Sequence, residues 1–118
     1  MQNFFCPAGG LGSSPSSVSL SFEVTQAYAF VSLVSMLAPS SDWFVGASGL
    51  SLIENGQWVE ELIVPLFAYD AGTDSGGSYT APNSDTNPQA RIGILQELPF
   101  VVVDGEVSPI GRFIFRRQ

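Results

Sequence analysis

A chain of 118 residues that is 45% hydrophobic has the size and apolar content of one domain with its own core. Its charge is sparse and one-sided: eleven acids stand against four arginines, with no lysine, for a formal net charge of -7. Such a surface repels phosphate backbones and anionic lipid heads, which argues against nucleic acid and membrane insertion and in favour of a divalent cation as partner.

In chain order, MQNFFCPAGGLG has neither the basic start nor the apolar core of a signal peptide. GGLGSSPSS reads as a flexible lead-in. Residues 1–17 are therefore taken as a flexible or atypical segment and 18–118 as the folded domain. Cys6 is the chain's one cysteine and cannot form an internal disulfide. Both a free thiol and half of a bridge to another chain remain open for it.

Val18, Leu20, Phe22 and Val24 alternate with Ser19, Ser21, Glu23 and Thr25, the pattern of a half-buried strand. Residues 28–37 are β-branched and aromatic enough for a buried strand, ended by APSSD. WFVG and LSLI predict two short strands, and ENG a tight hairpin turn. WVEELIVPLFAY predicts a long strand in which Pro65 marks a bulge or an edge. After the polar, proline-broken SYTAPNSDTNPQ come RIGILQEL and IGRFIFRR, in which Phe113 and Phe115 alternate with Arg112, Ile114 and Arg116. No segment has helical periodicity, no run reaches membrane-spanning length, and short strands separated by turns predict an all-β fold, an antiparallel β-sandwich or barrel.

The residue inventory narrows the chemistry. Without histidine, Ser-His-Asp and Cys-His catalysis and the usual zinc sites cannot be built; without lysine there is no Schiff base or Walker-type phosphate loop. Oxygen ligands remain. In YDAGTDSGG, Asp70 and Asp74 sit four apart among glycines directly after a hydrophobic run. A solvated turn, a metal loop and an acid protease signature are all compatible with that stretch. Calcium takes six to eight oxygen ligands, commonly from loops gathered at one end of a sandwich. Glu23, Asp42, Asp70 and Asp74 are the carboxylates at or near such positions, although aspartate is also an ordinary turn residue.

LAPSSDWFVGASGL, GQW, LFAYDAGTDSGGSYTAPNSDTNP and PIGRF together resemble the spondin domain. The resemblance implies an antiparallel β-sandwich similar to a C2 domain, which binds one divalent cation, Ca2+, through carboxylates corresponding to Glu23, Asp42 and Asp70, with Asp74 as a further candidate. It also implies a non-catalytic adhesion module of the extracellular matrix or cell surface, with a cell-surface protein or glycan as ligand. Two departures stand out. Only about eighteen poorly matching residues precede the first matching strand, where the family has a further N-terminal part, and Ile53 stands where vertebrate relatives have a disulfide-bonded cysteine. A missing strand would leave a sheet edge for another chain to fill, so a homo-oligomer or a structural fibre subunit is the nearest alternative.

Enzymatic alternatives rest on less. Asp74-Ser75-Gly76 spells an aspartic protease signature, but Gly72 and Thr73 stand where that family has apolar residues. A glycosidase would need two carboxylates, one of them free to donate a proton, and a bound cation would deny that. Trp43 and Phe44 read as packing, and Arg112, Arg116 and Arg117 as a solvated terminal strand.

Overall fold

The computed structural model describes residues 9–13, 15–96, 100 and 102–118. Among them there are ten strands and no helix: β1 (Phe30–Met36), β2 (Trp43–Ser51), β3 (Ile53–Glu54), β4 (Gln57–Trp58), β5 (Glu61–Leu66), β6 (Tyr69–Asp70), β7 (Gly93–Ile94), β8 (Val102–Val103), β9 (Glu106–Val107) and β10 (Gly111–Arg116). Every pairing is antiparallel, so the protein is all-β as its turn-punctuated sequence predicts. The main sheet has the order β1-β2-β6-β7, and β5 and β10 form a separate ribbon, with β5 against β2.

The sequence pattern explains the central pair. β1 and β2 are joined by the residue 37–42 turn and run in register from Met36 opposite Phe44 to Phe30 opposite Ser51. WFVG and the residues after it form one strand rather than two. A register shift opposite Ser32 is absorbed at Gly49, whose φ of 64° suits glycine and whose N–H donates to Ser32 Oγ at 3.0 Å, so pairing continues through the irregularity. Asn55 and Gly56, with φ of 52° and 77°, make the tight β3–β4 turn that ENG predicts. A second hairpin of this kind, Asp104-Gly105 between β8 and β9, went unread in the sequence, although an Asp-Gly pair between valines is its usual signal.

Three expectations need correction. Residues 18–24 form no strand: only a Thr25–Tyr28 bridge closes a turn ahead of β1, and Val18, Leu20 and Phe22 are exposed. Alternation marks a strand only where a neighbouring edge supplies hydrogen bonds, and none does so here among the described residues. The segment at 28–37 does hold a strand, but an edge strand rather than a buried one, with Phe30, Val34 and Met36 on its open face. WVEELIVPLFAY is divided among β4, β5 and β6, because the chain leaves the β10 ribbon after Leu66 and enters the main sheet at Tyr69. Pro65 lies in β5, an edge of the two-stranded ribbon, where a missing N–H is tolerated.

The core gathers on one face of the main sheet. Trp43, Ala68, Phe100 and Val107 are buried together, with Leu37, Phe67, Tyr79 and Leu95 packed around them. Trp43 meets Tyr79 and Phe100 edge-on, at ring-centroid distances of 5.1 and 5.6 Å. The packing role read for Trp43 holds. Phe44 points to the opposite face and stacks on Tyr69 at 5.6 Å. On the terminal ribbon Arg116 pairs with Glu61 and Arg117 with Glu60; both pairs are solvated and contribute little to stability.

Candidate metal-binding loops

Two connections meet at the end of the sheet where β2 begins. In the first, Ser40 is buried and holds the β1–β2 turn: its hydroxyl donates to Leu37 O and accepts from Trp43 N–H at 3.2 Å, while its own N–H donates to Leu37 O at 3.0 Å. That clasp fixes Asp42 immediately before β2. In the second, Asp70 closes β6 opposite Trp43, and its Oδ1 accepts the Gly72 N–H at 2.7 Å, the local bond that turns the chain after a strand.

Asp42 ties the two connections together. Its Oδ2 accepts the Thr73 N–H at 2.8 Å, the Thr73 hydroxyl at 3.0 Å and the Asp74 N–H at 2.9 Å, and its backbone carbonyl accepts the Ala71 N–H at 3.2 Å. Its other oxygen, Oδ1, is buried with no hydrogen-bond partner among the described residues. A buried carboxylate oxygen left in this state is costly unless something else satisfies it.

The glycine-rich stretch is one arm of a hairpin rather than a loose loop. Ala90 N–H donates to Gly72 O at 2.8 Å, Thr86 N–H to Thr73 O at 3.0 Å and Ser75 N–H to Ser84 O at 2.8 Å, with Asp74 bridged to Asp85. At its far end Tyr79 turns inward onto Trp43. Ser41 Oγ donates to Asn83 Oδ1 at 3.3 Å, joining the β1–β2 turn to the returning arm. An open polar groove beside these residues is lined by Ser41, Thr73, Asn83, Asp85, Thr86 and Gln89. The returning arm and Ser40 were not singled out in the sequence; the only hint was the dense Ser/Asn/Asp/Thr content of SDTNPQ, which marks a turn but not its partner.

Asp74 is buried and engaged at both oxygens, Oδ1 by the Gly76 N–H at 2.7 Å and Oδ2 by the Ser84 N–H at 2.8 Å. The Ser84 bond first, then that of Gly76, with a smaller contribution from Ser41, hold its carboxyl below the ordinary value of 3.8 against the opposing effect of burial. A carboxyl with a lower pKa in the folded state stabilises fully above its unfolded pKa, and that stabilisation is lost as pH falls through the lowered folded value. Asp74→Asn can keep one acceptor but turns a donor towards the other backbone N–H. The variant is expected to melt lower than wild type at pH 7, with the gap closing below about pH 4. Melting curves from pH 7 to pH 3 test this; parallel acid slopes in the two proteins would refute the assignment. Double engagement by loop backbone is also unlike a proton-sharing protease dyad, and it gives Asp74 the role of brace.

The structure thus brings Asp42, Asp70 and Asp74 into adjoining connections. Glu23 lies exposed on residues 18–24, and among the described residues no three acidic, histidine or cysteine side chains gather closely enough to hold a metal by themselves.

An all-β module carrying a carboxylate-braced hairpin beside the first turn of its main sheet is a class that the comparisons narrow further. The spondin family model, Spondin_N, matches residues 6–99, so the chain belongs to the spondin family. It is 43% identical to rat spondin-2 over 89 residues, 75% of this chain and 26% of that protein, and 42% identical to human spondin-2 over the same shares. It is 35% identical to spondin-1 of Xenopus laevis over 105 residues, 84% of this chain and 13% of that protein. The chain therefore spans about a quarter or less of the curated relatives it matches. Spondin-1 and spondin-2 are secreted extracellular matrix proteins, which agrees with the localisation expected from the resemblance.

Proposed function

We propose that the chain is a calcium-stabilised adhesion module that acts outside the cell without catalysis. One observation carries the cation reading: Asp42 spends Oδ2 on three donors of the hairpin while Oδ1 stays buried and unpaired. Calcium prefers hard oxygen ligands, and a carboxylate oxygen in this position fits it. Asp42 and Asp70 would hold the ion, Asp74 would brace the hairpin against it, and Glu23 enters through the family resemblance. Bound calcium would supply fixed positive charge that offsets the carboxylates and stiffens the hairpin. The polar groove lined by Ser41, Asn83 and Asp85 would then present a rigid surface to a cell-surface protein or glycan.

The alternative, a structural subunit of a surface fibre, draws on β1, an edge strand without a single charged residue.

Thermal melts in EDTA and in millimolar calcium test the cation reading. Calcium at about a hundred times its dissociation constant should add roughly 2.7 kcal/mol to the wild type. In Asp42→Asn the amide oxygen can keep the Thr73 and Asp74 bonds while the amide nitrogen takes the Oδ1 position, so the brace survives and the calcium response disappears. Asp70→Asn should weaken the response as well. A wild type indifferent to calcium, or a response that both variants retain, would remove the cation from the reading and leave an adhesion scaffold.

A further inference from the structure

The main sheet is apolar on both faces, whereas an antiparallel sheet with one solvated face normally alternates apolar and polar. Away from the Trp43 core, Met36 lies opposite Phe44, Phe44 opposite Tyr69, and Tyr69 opposite Ile94, so one apolar row crosses all four strands. The Phe44 and Tyr69 rings stack at its centre. Around them Phe30 is 72% exposed, Val34 69%, Met36 59%, Ile92 64% and Ile94 42%.

We propose that this face is the interface for a second copy of the chain, packed face to face about a two-fold axis. Charge selects that occupant. The chain carries a net charge of -7, yet β1 and β2 contain no ionisable side chain, and Asp70 of β6 is paired with Trp43 rather than with the row. Two such faces meet without opposing carboxylates, whereas a basic partner would find nothing here to neutralise.

Area agrees with charge. The five exposed side chains offer roughly 600 Å² per copy, about 1,200 Å² in all, the lower bound for a stable specific interface. An isologous contact also uses the same patch on both copies and closes, so it yields a dimer rather than a fibre. The proposal does not rest on the cation reading.

Sedimentation of the full chain at concentrations up to about 1 mM, with Val34→Glu and Ile94→Glu alongside, tests it. The two sites lie on the opposite outer strands of the sheet and are exposed, so far-UV circular dichroism should show both variants folded. A wild-type dimer weakened by about 100-fold or more in each variant is the expected result. A monomeric wild type overturns the proposal. So does loss of association in Val34→Glu alone, which would mean edge pairing through β1, or open-ended growth with concentration. Binding of the wild type to phosphatidylcholine vesicles in place of dimerisation would assign the face to lipid and overturn it equally.

Discussion

Gly72→Ala should be among the most damaging single-methyl changes in the chain, lowering stability by about 3 kcal/mol and the melting temperature by roughly 10 °C. Two independent costs combine there. Gly72 has a φ of 78°, a backbone conformation that side chains resist, and a Cβ would sit 2.2 Å from the Ala90 carbonyl oxygen, which belongs to rigid backbone. The same two residues exchange the Ala90 N–H to Gly72 O bond that starts the hairpin, so relieving the overlap means giving up the pairing. Gly49→Ala separates the two costs, since its φ of 64° is similar but nothing lies within 4 Å of its Cβ. That variant should lose only about 1 kcal/mol, the conformational part. Equal losses at the two positions in urea titrations would show that the close approach at Ala90 is not part of the folded protein.

The hairpin also shows where sequence reasoning stops. Asp42, Asp70 and Asp74 were legible as candidates because a chain with few charges placed them beside turns. Their division of labour was not, because it depends on bonds to backbone N–H groups that no residue pattern records. Asp74 has both oxygens engaged whereas Asp42 leaves Oδ1 unpaired, and that difference arises from how residues 72–76 fold back on 84–90. Gly72 and Gly76 suggested flexibility in the sequence, whereas at Gly72 the backbone of Ala90 comes too close to admit a side chain.

The strands were readable to the extent that each carries its own signal. The Asn55-Gly56 turn and the β10 alternation needed no context. Residues 18–24 carry an equally clear period-two pattern and yet form no strand, since pairing is a property of two segments and the pattern records only one. The converse holds at β1, whose β-branched and aromatic content predicts a buried strand. Its inner face, with Val31 and Leu33 half-buried, follows that rule, while Phe30, Val34 and Met36 stay open on the other. Composition recorded that the residues want cover and left unstated what provides it.

Trp43→Ala is expected to cost about 3–5 kcal/mol, a large fraction of the usual total stability of about 5–15 kcal/mol. Trp43 is 3% exposed and opens β2, where its ring gathers Tyr79 and Phe100 while its backbone N–H donates to Ser40 Oγ. Tyr79 comes from the far end of the hairpin, so removing the indole frees the anchor that presses residues 72–90 onto the sheet. Trp43→Phe keeps an aromatic surface with less volume and should cost about half as much, leaving a folded protein in which this consequence can be measured. In that variant the amides of Ser75 and Thr86, which close the hairpin, should exchange with solvent faster relative to wild type than the amides of the β5–β10 ribbon, which is paired separately from it. Uniform acceleration across both regions would mean that Trp43 stabilises the domain only globally. Selective acceleration would show that the indole, though it touches no candidate ligand, sets how rigidly the Asp42–Asp74 connections are held together.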